Sequence, residues 1–204
     1  MNRFDAMAKG FDTDSRKTRA EAVAEALMTR IKVSGKNAIE FGCGTGLVGL
    51  SIAQIFSSLV LIDSSEWMIA EAEKKISKKD AGKISALCCD LMEKVPEGLC
   101  ADYVFSSLVL HHIIDTQKAL EIFRSILNVC GHLLIVDLNP DDGGFHAKYA
   151  DFDGHNGFEQ AALIALAEQV GFKNVQSHTF YADVKIVGKE EMPYSLFILD
   201  AERY

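Results

Sequence analysis

The stretch Asn37-Ala38-Ile39-Glu40-Phe41-Gly42-Cys43-Gly44-Thr45-Gly46-Leu47-Val48-Gly49-Leu50 constrains the fold more than any other part of the chain. A short apolar run closes on an acidic residue, glycines then alternate, and an apolar stripe at helical spacing begins. That pattern is a strand, a tight turn and a helix, the first half of a βαβ unit. The turn needs backbone angles that residues with a Cβ rarely adopt. It also lets a ligand lie against main-chain amides beside a helix N-terminus. Two spacings overlap here. Gly44, Gly46 and Gly49 fit G-x-G-x-x-G, the dinucleotide fingerprint. Gly42, Gly44 and Gly46 fit E/D-x-G-x-G-x-G, with Glu40 as the acidic member. At a strand's carboxyl end Glu40 points to a ligand-facing role, because an unpaired buried carboxylate is costly.

Strands and helices alternate downstream of this unit. Strands are expected at residues 38–41, 59–62, 83–88, 103–108 and 132–137, with helices between them. Thr116 can cap the clearest helix, whose apolar face is Ala119, Ile122, Phe123, Ile126 and Leu127, and Gly131 supplies its stop. Such alternation implies a parallel sheet with helices on both faces. Residues 158–170 form a last helix, stopped by Gly171, before strands at 175–181 and 194–200. With no helix between them, these two strands should form an antiparallel hairpin. Dinucleotide dehydrogenases instead end in a parallel sixth strand. Ahead of the first strand, Met7, Ala8 and Phe11 share a helical face with Phe4. A longer helix from about residue 15 carries the stripe Ala20, Val23, Ala24, Leu27, Met28 and Ile31, leaving Arg16, Lys17 and Arg19 as a solvated face. Residues 138–157 read as a polar, glycine-bearing loop, and loops of that length are usually functional or mobile.

A chain of 204 residues is expected to form one domain, 1–204, without repeats or linkers. Its net charge of −8 argues against a nucleic-acid partner, because phosphate binding needs a basic surface. The start of the chain has no apolar core like that of a signal peptide, and no apolar run is long enough to span a membrane. Five cysteines without Cys-x-x-Cys spacing read as reduced thiols of a cytoplasmic protein, serving as small apolar fillers.

Glu40-Phe41-Gly42-Cys43-Gly44-Thr45-Gly46 resembles the glycine-rich first motif of class I S-adenosylmethionine-dependent methyltransferases. The order of elements resembles that family over nearly the whole chain, apart from Phe41, where smaller aliphatic residues are usual. The resemblance implies a seven-stranded Rossmann-like α/β fold, a mostly parallel sheet ending in an antiparallel hairpin. It also implies S-adenosyl-L-methionine as cofactor and a small-molecule acceptor. Residues 1–32 would be an N-terminal helical lid, carried by Phe4, Asp5, Ala8, Lys9, Phe11 and Asp12, or a packing helix. Residues 138–157 would be a substrate-side loop. The cofactor would be held by Glu40, Gly42, Cys43, Gly44 and Gly46 of the first motif, by Asp63 and Ser64, and by Met68 against the adenine face. Asp90 would accept from the adenine amino group, with Leu91 offering a backbone amide, and Ser106 and Ser107 would line the methionine end. The ribose diol, adenine amino group and α-ammonium are all donors that suit carboxylates. Asp63 can also cap the helix that follows it, and both roles can hold together.

Methyl transfer from a sulfonium asks mainly for collinear alignment of nucleophile, methyl carbon and sulfur. A base helps where the acceptor must lose a proton. His111, directly after the fourth strand, is the candidate base. Phe11, His112, His146 and His155 are candidates for the acceptor side, and each histidine has an alternative role in packing. Asp141, Asp142, Asp151, Asp153 and His155 match no binding-loop spacing, so no metal site is expected. Two other functions remain compatible with the motifs. An NAD(P)-dependent oxidoreductase would use Gly44, Gly46, Gly49 and Asp63, but no Tyr-x-x-x-Lys accompanies them. A non-catalytic partner subunit would keep the cofactor site without turnover. Neither the acceptor nor the oligomeric state is specified by these patterns.

Overall fold

The computed structural model describes residues 5, 7–147, 149, 152–188 and 190–204. Phe4 and Asp151, both singled out in the sequence, lie outside the described residues. The strands are β1 (Asn37–Phe41), β2 (Ser58–Asp63), β3 (Ile84–Cys88), β4 (Ala101–Ser107), β5 (Leu127–Leu138), β6 (Phe172–Val187) and β7 (Glu190–Arg203). They form one seven-stranded sheet in the order β3-β2-β1-β4-β5-β7-β6. β1 to β5 pair in parallel, and β7 runs antiparallel to both β5 and β6. The expected hairpin is therefore present, and its second strand is the one inserted next to β5.

The helices are α1 (Asp14–Arg30), α2 (Leu47–Ile52), α3 (Glu66–Lys75), α4 (Thr116–Ile126) and α5 (Gln160–Val170). Period-two alternation divides the strand side chains between two apolar layers. Along β5, Leu134, Val136 and Leu138 join α1, α2 and α3 in one layer. Leu133 and Ile135 join α4 and α5 in the other. No helix among the described residues is long and apolar enough to cross a membrane.

Several boundaries differ from the sequence reading for local reasons. Thr13 caps α1 by accepting from Arg16 N–H, and Asp115, rather than Thr116, caps α4 by accepting from Lys118 N–H. Gly131 does not stop α4, because β5 already begins at Leu127. A Cβ at Gly131 would lie 2.9 Å from the Asp102 carbonyl oxygen, so the glycine serves a close approach of strands. Phe41, the departure from the family pattern, meets Phe123 of α4 edge to face at 4.9 Å between ring centroids.

Phe123 is fully buried and joins α4 to the end of the strand that leads into the glycine turn. Phe123→Ala is expected to destabilise the protein by roughly 3–5 kcal/mol, through lost burial and a residual cavity. Urea unfolding followed by circular dichroism measures this, and a loss below about 1 kcal/mol would mean that the layer re-packs without cost.

Candidate functional site

A cavity of about 690 Å³ opens at the carboxyl ends of β1, β2, β3 and β4. It lies where strand order reverses between β1 and β4, the usual ligand position of an open parallel sheet. Glu40, Gly42, Cys43, Gly44, Asp63, Ser64, Met68, Asp90 and Leu91 all line it, as do Phe11 and His112. Gly46, Ser106, His111, His146 and His155 do not, although Ser107 does.

The glycine turn is shaped by what surrounds it. Gly42, Gly44 and Gly46 take φ values of 69°, 53° and 76°. At Gly42 a Cβ would also collide with Val109, so the approach of the β4 loop allows no side chain there. Gly49, in α2, would drive a Cβ into Glu40 Oε2 and Leu61. Its N–H donates to that same Glu40 oxygen at 3.1 Å. Gly46 lies outside the cavity because it caps α2 from the left-handed region, its N–H bonded to the Cys43 carbonyl.

Asp63 ties three segments together. Its Oδ2 accepts from Gly44 N–H at 2.8 Å and its Oδ1 from Ser65 N–H at 2.8 Å. Ser65, not Asp63, is the N-cap of α3, accepting from Met68 N–H. Burial pushes the Asp63 carboxyl above its ordinary value, against those N–H bonds and with the Asp5 charge adding to the rise. Glu40 is pushed up to about 8 by burial, opposed by Gly49 N–H and reinforced by Asp63. Burial raises the Cys43 thiol further, with Glu40 and Asp63 adding to it, which favours the neutral thiol over the thiolate.

The N-terminal segment lies over this turn. The Phe11 ring comes within 3.8 Å of where a Gly44 Cβ would stand. Thr45 Oγ1 and Lys75 Nζ both donate to Asp12, each at 2.5 Å, and Ser65 Oγ donates to Asp5 Oδ1 at 2.6 Å. Arg16 and Arg19 are not a solvated face: both are half-buried and line the cavity, whereas Lys17 is exposed. Arg16 donates to the Phe11 carbonyl and sits 4.0 Å over the Phe11 ring. The signal was their three-residue spacing beside Ala20 and Val23 of the buried stripe, which puts them at its edge.

On the far side, Asp90 is exposed to the cavity and orients its loop by accepting from Met92 N–H at 2.8 Å. Ser106 is buried while Ser107 and Val109 face the cavity. Between them Leu108 holds φ at 57°, an uncommon conformation for its residue type that sits at the cavity wall.

The histidines divide sharply. His111 is buried, with Nδ1 2.5 Å from Oδ1 of the fully buried Asp137, whose Oδ2 accepts from His111 N–H. A short helical turn, Leu110–His112, sends its neighbour His112 to the cavity wall beside Phe152. His146, on the turn Gly144–His146, stacks on Phe152 at 3.7 Å and lies behind the wall. His155 Nε2 is 3.1 Å and 3.2 Å from the Ile113 and Ile114 carbonyls, so it donates as a clamp on the start of α4. The acidic loop residues are equally structural. Asp141 accepts from Gly143 and Phe145 N–H, and Asp142 from Gly144 N–H.

Residues 32–191 match the model of a family described as a methyltransferase domain. Among curated relatives, an uncharacterized methyltransferase of Schizosaccharomyces pombe is 26% identical over 159 residues, covering 71% of this chain and 56% of its own. The O-methyltransferase cnsE of Penicillium expansum is 28% identical over 182 residues, covering 80% of this chain and 63% of its own. The chain thus spans a little over half the length of these relatives. Among solved structures, Haemonchus contortus phosphoethanolamine N-methyltransferase 2, bound to phosphomonomethylethanolamine and S-adenosylhomocysteine, superposes with a TM-score of 0.74 at 15% identity. That match covers 100% of this chain and 60% of that one. A Haloferax volcanii methyltransferase in complex with the activator Trm112 superposes at 0.75 and 16% identity, covering 99% and 98%. These likenesses carry the fold.

Glu40 makes the ligand-free protein sensitive to pH. A carboxyl raised from 4.5 to about 8 on folding favours the native state fully below the lower value. That contribution is lost as pH rises through about 8. Glu40→Gln keeps an acceptor for Gly49 N–H and is expected to flatten the decline in unfolding free energy between about pH 4.5 and about pH 8. Parallel curves for the two proteins would show that Glu40 titrates normally.

Proposed function

Because the chain belongs to the family of class I S-adenosylmethionine-dependent methyltransferases, matched over residues 32–191, we propose that it transfers the methyl group of S-adenosyl-L-methionine to a small-molecule acceptor. The observation that carries this is Asp63. It ends β2, faces the cavity, and is fixed by the glycine turn itself through Gly44 N–H. A carboxylate offers about four acceptor positions, so two backbone N–H groups leave room for a ribose diol. Gly42, Cys43 and Gly44 bring main chain to the same space, with Ser64 beside them. Met68 and Leu91 line the adenine end, and Asp90 accepts from the amino group there. Glu40 supports the turn beside the α-ammonium, while Arg16 and Arg19 supply positive charge for the cofactor's carboxylate. Of Ser106 and Ser107, both expected at the methionine end, Ser107 lines it.

The volume fits this division. Small-ligand sites run from ~300 to 1,000 Å³, and about 690 Å³ accommodates a nucleoside cofactor with a compact acceptor. The acceptor enters on the side of His112, Phe152 and Asp153, under the lid formed by the segment around Phe11. Rate comes from holding the acceptor atom in line with the methyl carbon and sulfur. His112 meets the acceptor, and His111 with Asp137 orients it from behind through ring contact at 4.1 Å.

Calorimetric titration tests the reading. S-adenosylhomocysteine is expected to bind saturably and NAD(H) and NADP(H) not at all, whereas the reverse pattern would overturn it. Asp63→Ala should weaken S-adenosylhomocysteine by roughly 1–3 kcal/mol. Asp63→Asn, which keeps one carbonyl acceptor, should lose less. Binding at neutral pH should also release protons as the α-ammonium draws Glu40 into its ionised form, and repeating the titration in buffers of different ionisation enthalpy reads that number.

A further inference from the structure

We propose that His111, His112 and His146 form a site for one divalent transition-metal ion of the zinc class, at the acceptor end of the cavity. One nitrogen from each imidazole lies within 4.8 Å of the other two. Three nitrogens on a tetrahedral zinc ion, each about 2.0–2.1 Å from it, stand about 3.3 Å apart. Side-chain rotations that shorten the separations by at most about 1.5 Å therefore close the set. Imidazole donors select zinc, cobalt, nickel or copper over magnesium and calcium, which take oxygen.

Asp137 adds a separate reason. It is 0% exposed and, among the described residues, its ion-pair partner is His111 Nδ1. With Nδ1 held by that carboxylate, His111 coordinates through Nε2, in the carboxylate–histidine–metal arrangement that fixes ring and tautomer. A buried carboxylate needs positive charge nearby, and an ion on His111 would supply it. The scaffold is also built for the approach. A Cβ at Gly154 would collide with the His111 carbonyl and the Phe152 ring, so this glycine lets Phe152 close over His146. Only His112 of the three lines the cavity, which leaves the open coordination position toward an acceptor bearing an oxygen or nitrogen donor. That last role rests on the proposed methyl transfer, but the ion's binding does not.

The test uses the whole protein, stripped of metal by chelator dialysis and titrated with Zn²⁺, Co²⁺ and Mg²⁺ by calorimetry, with no cofactor present. One Zn²⁺ or Co²⁺ per chain is expected, with visible bands of a nitrogen-coordinated cobalt ion and no response to Mg²⁺. His112→Gln and His146→Gln should each weaken binding at least tenfold. Asp137→Asn should weaken it about 10–100-fold through loss of ring orientation. Near-ultraviolet dichroism of each variant separates a lost ligand from a lost fold, and a variant that fails to fold is replaced by the other histidine change. Absent saturable binding, equal binding in folded variants, or sulfur-to-cobalt charge transfer from Cys88 and Cys89 would each overturn the proposal. Because no cofactor is present, failure of the methyl-transfer reading leaves every one of these outcomes unchanged.

Discussion

Asp63 joins the glycine turn, 19 residues away at Gly44, to the start of the helix that follows its own strand. β2 carries it, the glycine turn donates Gly44 N–H to one oxygen, and the head of α3 donates Ser65 N–H to the other. Hydrogen bonds to an ionised acceptor are roughly twice as strong as neutral ones, and both of these are partly buried. The turn after β1 and the entrance to α3 are thereby held in one relative position. Whatever lies on Gly42 to Gly44 is presented to the same carboxylate that shaped them. The shape of the glycine turn and the placing of the first turn of α3 are two consequences of one half-buried carboxylate, which residue spacing alone could not separate.

Floor and roof of the cavity differ in how firmly they are held. The floor is Glu40 beneath α2, sealed from water, with Gly49 leaving no space for any other residue. Above the turn, the segment from Met7 to Thr13 is tied by Asp12, whose side chain is 27% exposed, to Lys75, which is 32% exposed. Exposed ion pairs contribute on the order of 0–1 kcal/mol. The roof is thus held by partly exposed side-chain contacts and the floor by a buried carboxylate bonded to main chain.

Much of this was legible in the chain. The glycines, the strand-end acids and the missing helix before the last strand led to the correct sheet. These signals are local, each fixed by a few neighbouring residues. Other features were settled elsewhere. Asp115 and Thr116 are both good caps, and backbone geometry chose the first. Gly131 looked like a helix stop, but Asp102 on a neighbouring strand is what requires it. Arg16 and Arg19 looked solvated until α1 was laid across the sheet. The histidines show the limit most clearly. His111 and His112 are adjacent yet differ in burial, one behind the cavity wall and one lining it, and His146 is brought to them by a turn organised by Asp141.

The position of β7 between β5 and β6 bears on the order in which the molecule can assemble. During synthesis β6 emerges before β7, yet it pairs with nothing else in the sheet. Until Glu190–Arg203 is available, β5 is an open edge with an unpaired row of backbone groups, the kind of edge that invites pairing with another chain. Long-range pairing of this sort is slow to form because loop closure precedes any reward. The half of the sheet that carries the glycine turn needs no such wait. The ligand-binding half can be in place while the other is still being drawn from the ribosome, and the nascent chain is most vulnerable in the interval between them.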